Sequence, residues 1–272
     1  TGRQLHTFTA AEQPHEGVAS PDGRTYYAAI PNGPHVVVLD AATFTQKALI
    51  ESPFFKSSKN KGSASPHGSA LTTDGSKLYA LLEGALWDEA TKAPEALDGK
   101  QFLRVLEFDV KAEQWTGRHW KYVLDANHHA IGDFNMISAT EGLIIERDNG
   151  EGTSDQACPE GQKRPDCFHD LAKFKRVVKV ELSEANAGGP LRKIGHIDLM
   201  AIADPNKLAR KPLTNGVLAF PFFTIENVDV VDAKHIVVGN DNNLPFSSSR
   251  EPNKADDNEL LLLEVGDFLS AR

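Results

Sequence analysis

The sequence predicts an all-β fold: a β-propeller of four-stranded antiparallel blades. Three observations lead there. Short apolar strands recur along the chain, separated by strong turn signals such as Pro21-Asp22-Gly23 and Pro31-Asn32-Gly33. The strands fall into four units of similar internal order, at about 15–51, 66–125, 130–200 and 222–266. Four-stranded units in series are the signature of a propeller. A sandwich is the alternative, but it would not explain that shared order. One propeller domain is therefore expected over residues 1–272.

The first unit is the clearest. HEGVASPDGRTYYAAIPNGPHVVVLDAATFTQKALI gives strands near 16–20, 25–30, 35–40 and 45–50. The second opens at PHGSALTTDGSKLYALLEG and resumes at FLRVLEFDV and WTGRHWKYVL. The third runs through IGDFNMISATEGLIIERDNG, FKRVVKVELS and LRKIGHIDL, and the fourth through FTIENVDVVDAKHIVVGNDNN and NELLLLEV. The N-terminal RQLHTFT also reads as a strand. It is either the outer strand that completes the last unit or the tail of a further blade. Helical periodicity is scarce. LMAIADPNKLA (199–209) and the last few residues are the short-helix candidates.

The links between second and third strands are long in three units: about 84–101, 149–172 and 241–257. Loops beyond ~12–15 residues without structure of their own are uncommon and often functional. Here they recur at one position in the blade.

Bulk properties narrow the function classes. The 272 residues carry a formal net charge of -9, against the basic surface that nucleic-acid backbones require. No apolar run approaches the ~20 residues that span a bilayer. The sequence starts at Thr1 without Met, so a processed, tagged or truncated start is expected. The two cysteines, Cys158 and Cys167, flank a polar segment with two prolines in DQACPEGQKRPDCFHD. A disulfide suits that loop and implies an oxidising compartment. The rivals are free thiols, or a zinc site with His169, although the spacing matches no common zinc pattern.

Propeller geometry places the start of each first strand and the end of each second strand on one face. Those positions are polar here: His15-Glu16, His67, Asp133 and Glu226-Asn227 at the starts, and Asn32, Glu83, Glu146 to Asn149 and Asp241 to Asn243 at the ends. Each residue alone is explained as a turn or strand-end polar group. Together they suggest an acid-rich rim. Converging carboxylates repel unless a cation, an arginine or a proton intervenes, and oxygen-only ligands point to Ca²⁺ or Mg²⁺. Glu146, Asp148, Glu226 and Asp241 are the leading expected ligands of that metal, with Glu16 and Asp133 from the first-strand starts beside them, and Asp256 and Asp257 are weaker candidates on an acidic loop.

His129, next to His128, is either a general acid–base or an ordinary loop histidine. Arg147 and Arg250 either grip a phosphate or carboxylate or pair with a neighbouring acid, the latter reading favouring Arg147. His67 is a further substrate-binding candidate. There is no G-x-S-x-G, P-loop or dinucleotide motif, and Ser247 to Ser249 read as a flexible linker. A hydrolase of this kind would use water activated by a metal, with a rim carboxylate such as Glu146 or Asp148 taking its proton.

Residues from about 65 to 266 resemble the bacterial "esterase-like activity of phytase" family, also called phytase-like. The resemblance is carried by GSALTTDGSKLYALLEG, IGDFNMISATEGLIIERDNGEG, FKRVVKVEL and FPFFTIENVDVVDAKHIVVGNDNNLPFSSSREPNKADDNELLLLEV. It implies a secreted or periplasmic propeller acting on small-molecule esters or phosphate esters, and family members are usually longer. The alternative is a non-catalytic propeller whose cation and rim serve stability or partner binding.

Overall fold

A computed structural model describes residues 17–30, 35–54, 58–60, 62–214 and 216–272. Glu16, His15 and the Pro31-Asn32-Gly33 turn lie outside them. The chain is all-β, and its sheets are successive blades of a β-propeller.

Blade 1 holds β1 (Gly17–Ala19), β2 (Thr25–Ala29), β3 (His35–Asp40) and β4 (Gln46–Glu51) in that spatial order. Blade 2 holds β5 (Pro66–Leu71), β6 (Lys77–Leu82), β7 (Lys100–Asp109) and β8 (Gln114–Val123). Blade 3 holds β9 (Ala130–Met136), β10 (Glu141–Arg147), β11 (Lys175–Glu181) and β12 (Arg192–Asp198). Blade 4 is three-stranded among the described residues: β13 (Ile225–Val230), β14 (His235–Asn240) and β15 (Leu260–Glu264). A short helix, α1 (Gly266–Ser270), follows it. No helix of the described residues is long and apolar enough to cross a membrane.

Aspartates set the hairpins. In blade 1 Asp22 accepts from the Ser20 hydroxyl and the Arg24 N–H, and Gly23 takes φ +66°. In blade 2 Asp74 accepts from Thr72 and Ser76, and Gly75 takes φ +72°. Asp40 and Asp232 do the same work at later turns. A carboxylate that bonds its own following backbone fixes a tight turn, and glycine supplies the left-handed conformation without a Cβ clash.

The expected helix at 199–209 is absent. Asp204 accepts the N–H groups of Leu208 and Ala209, and Ile202–Ala203 pairs with Val217–Leu218 as a small ribbon. Carboxylates that bond nearby backbone compete with helix formation, and Pro205 lacks the N–H a helix would use.

Contacts divide the chain into two compact units. One comprises 1–127, 134–142 and 181–192, the other 128–133, 143–180 and 193–272. In the first, Tyr27, Val36, Val38, Ile50, Leu71, Leu78 and Phe108 form one buried cluster that joins blades 1 and 2. In the second, the start of β9 lies close against β13. Asp133 accepts the Val228 N–H at 2.7 Å, and a Cβ on Gly132 would fall 1.8 Å from the Ile225 carbonyl oxygen. Gly132 therefore permits an approach that any side chain blocks. Gly132→Ala is expected to lower stability by more than ~2 kcal/mol, whereas Gly62→Ala, which meets nothing within 4 Å, stays within ~0.5 kcal/mol. Urea unfolding of the two variants checks this.

Candidate functional site

The acids at the strand ends are present where the sequence places them, but each has its own partner. Glu146, fully buried near the end of β10, accepts from His129 Nδ1 at 2.8 Å and Lys193 Nζ at 3.1 Å. The His129 side chain is almost covered, with Phe174 at 4.2 Å and the His128 ring edge-on at 4.8 Å between centroids. In the first unit His67, also buried, pairs through Nδ1 with Glu83 just after β6. Two blades thus repeat one device, a histidine at the first-strand start held by a glutamate at the second-strand end.

Asp148 is more tightly engaged. Its carboxylate meets Lys175 Nζ at 2.8 Å and accepts the N–H groups of Lys173, Phe174 and Gly150. Lys175 is wholly buried and also donates to the carbonyls of Asp148 and Gly150. Burial works against the Asp148 charge, but the Lys175 ammonium and the N–H groups of Lys173 and Phe174 outweigh it and hold the pKa below the usual aspartate value. Burial likewise pushes the Lys175 ammonium down to about 8, against the opposing pull of Asp148.

Asp133 is spent on Val228. Glu226 sits at a bulge in β13 and has a partner of its own. Asp241 accepts the Asn243 N–H at 2.9 Å, and its backbone exchanges bonds with Thr224. Asp241 thus serves a turn, and Asp133 bridges β9 to β13. Among the described residues, no three His, Cys, Asp or Glu gather as a cation site. The oxygens of Glu146 and Asp148 are already met by imidazole, ammonium and amide N–H groups, and one oxygen of each of Asp133 and Asp241 by an amide N–H. Glu16 lies outside the described residues.

The two arginines have different partners. Arg147 donates to the Asn149 carboxamide at 2.8 Å and lies over the Phe223 ring. Arg250 is paired with an acid. It grips Glu259 through Nε and Nη2, with Nη1 on the Ala219 carbonyl.

The segment read as a serine linker is a knot. Ser249 is fully buried, donates its hydroxyl to Glu151 at 2.7 Å and accepts the Phe223 N–H. The buried Asp256 carboxylate accepts the N–H groups of Ser249 and Arg250. Gly152 N–H donates to the Ser249 carbonyl, and the Gln156 carboxamide to that of Arg250. The loops after β10 and β14 are thus tied side by side. The Cys158–Cys167 disulfide closes the outer part of the first loop, as expected, with Cα atoms 4.9 Å apart.

Between these tied loops opens a cleft of about 250 Å³. Its lining includes Glu151, Arg164, His169, Asp170, Ser248 and Asn253. Here the polar groups are not used up. Among the described residues, the Asp170 carboxylate, the second oxygen of Glu151, the Ser248 hydroxyl and His169 Nε2 have no hydrogen-bond partner, while His169 Nδ1 lies 3.3 Å from Cys158 Sγ. Sequence reasoning passed over Asp170, Glu151 and Ser248. The signal was two long loops at one blade position, which pointed to the face but not to the side chains.

A family model described as "Phytase-like: Esterase-like activity of phytase" matches residues 4–244. The chain belongs to this phytase-like family. A search of curated protein sequences finds no match. Among solved structures, the phytase-like chain is similar to hydrazine synthase of Kuenenia stuttgartiensis at 14% identity and TM-score 0.37, covering 97% of this chain and 66% of that one. It is similar to the Cps50 (Swd1) β-propeller domain of Myceliophteria thermophila at 10% identity and TM-score 0.39, with coverages of 94% and 73%. It is also similar to the periplasmic gluconolactonase PpgL of Pseudomonas aeruginosa at 17% identity and TM-score 0.35, with coverages of 93% and 54%. The chain thus spans just under two thirds of the first structure and about half of the third.

The Asp148–Lys175 pair generates a stability prediction. The folded pKa of Asp148 is lowered, so its contribution is complete above the ordinary aspartate value, ~3.9, and is lost as pH falls through the folded value. Asp148→Asn leaves Lys175 buried without a counter-charge. It is expected to cost about 3–5 kcal/mol at pH 7 and to flatten the acid limb of the stability profile. Denaturant titrations at several pH values between 7 and 2.5 measure both.

Proposed function

We propose that this phytase-like chain hydrolyses small-molecule ester or phosphate-ester bonds, with the cleft between the β10–β11 and β14–β15 loops as the substrate site. The observation that carries this is the contrast in commitment: strand-end acids are bonded within the fold, whereas His169, Asp170, Glu151 and Ser248 offer open groups to one cleft. The family description supports an ester as the substrate.

In this reading Asp170 or Glu151 accepts a proton from water, the water oxygen bonds to the acyl or phosphoryl centre, and His169 delivers a proton to the departing oxygen. The Ser248 hydroxyl and the Asn149 carboxamide orient the substrate. No step is routed through a metal; a divalent cation such as Ca²⁺ would need oxygens beyond those of Glu146 and Asp148. The disulfide supports a secreted or periplasmic setting.

A second reading, a non-catalytic ligand-binding propeller, is favoured by one detail. His169 Nδ1 rests against a disulfide sulfur and not against a carboxylate that would orient the ring.

Hydrolysis of p-nitrophenyl acetate and p-nitrophenyl phosphate by the full chain, without reductant, separates the readings. His169→Ala is expected to lower kcat by ~10²–10⁴-fold, with the melting temperature little changed because His169 is exposed. Turnover unaffected by His169→Ala rejects the cleft as the catalytic site. A wild type that turns over neither ester favours the second reading.

A further inference from the structure

We infer that, of the two ester classes proposed, the cleft takes neutral, hydroxyl-bearing carboxylic esters and disfavours phosphate esters, which narrows the reading above. The inference rests on the cleft being the substrate site and concerns only which esters enter it. Arg164 is the one arginine or lysine among the lining residues, and its guanidinium is held bidentately by Asp166 at 2.8 and 2.7 Å. Other cations of the same unit are matched in the same way: Lys175 by Asp148, Lys193 by Glu146, and Arg250 and Lys211 by Glu259. The anion-binding devices of proteins are a free arginine fork, a lysine cluster or a helix N-terminus. None of these lines the cleft.

Apart from His169, the proton donor of the catalytic reading, its uncommitted ionisable groups are acids. The Asp170 carboxylate and the second oxygen of Glu151 only accept hydrogen bonds when ionised. They suit the hydroxyl groups of a polyol and repel a phosphate that carries about −1.5 to −2 at neutral pH. Ser248 and Asn253 add uncharged polar contacts, and Pro165 and Pro252 give C–H surfaces for a carbon skeleton. Discrimination of this kind works by repelling the wrong ligand as well as by fitting the right one.

The test is binding, so that it does not depend on turnover. Sorbitol and inorganic phosphate are titrated into the full, oxidised chain at neutral pH, followed by protein-detected NMR with calorimetry. Sorbitol is expected to bind, with phosphate at least tenfold weaker. Asp166→Asn, on the exposed loop, frees Arg164 and is expected to raise phosphate affinity about tenfold. Asp170→Asn is expected to weaken sorbitol and strengthen phosphate, and thermal melts confirm that both variants are folded. Phosphate binding as tight as sorbitol in the wild type, no binding of sorbitol, or unchanged phosphate affinity in both folded variants overturns the inference. Sorbitol selectivity without hydrolysis of any ester would leave the selectivity standing and remove the catalytic reading. Ester hydrolysis in the cleft with equal phosphate binding would do the reverse.

Discussion

The ion pair of Asp148 and Lys175 is the constraint on which the candidate site depends. Asp148 opens the long loop after β10, and Lys173, Phe174 and Lys175 end it, so the carboxylate bonds both of its ends at once. Taking two charges out of water is unfavourable by itself, and such a pair persists only with good geometry and further hydrogen bonds. Here the spare ammonium protons go to the Asp148 and Gly150 carbonyls, and the spare carboxylate capacity to three N–H groups. A buried lysine whose pKa is pushed to about 8 is the sign of how far this base is withdrawn from solvent.

From that base the loop is closed twice more. Ser249 and Glu151 fasten it to the neighbouring loop, and the disulfide fastens it to itself. The cleft lies where these closures meet. Its walls are irregular backbone, yet each is bonded at several points, which is how a loop-built site gains definition that loops usually lack.

Much of the fold was legible because propeller blades advertise themselves. Pro21-Asp22-Gly23 and Thr73-Asp74-Gly75 mark equivalent turns, and the apolar runs between turns become the buried strands. The 199–209 segment misled because its apolar spacing was weighed without Asp198 and Asp204, whose carboxylates accept the N–H groups of Met200, Leu208 and Ala209. The site was legible only as a region. Strand-end polarity pointed to the loops that leave one face of blade 3, but not to what each acid bonds. Whether Asp148 faces a metal or Lys175 depends on a residue 27 positions away, which no local pattern reveals. Arg250 and Glu259 are closer in sequence, yet their pairing too needed the path of the loop. Ser247 to Ser249 looked like a spacer because serine is small and polar, and its burial follows only from tertiary bonds.

The disulfide also changes the covalent topology of the site. Gln162 and Lys163 are exposed within the ring that Cys158 and Cys167 close. A protease nick between them would open the main chain without separating the two pieces, because the sulfur bridge still spans the cut. Arg164, His169 and Asp170 would stay attached beside the severed peptide bond. The chain thus carries a second covalent path around one wall of the cleft. Such a bypass suits a protein that meets proteases: damage at the tip of the loop is confined to the tip.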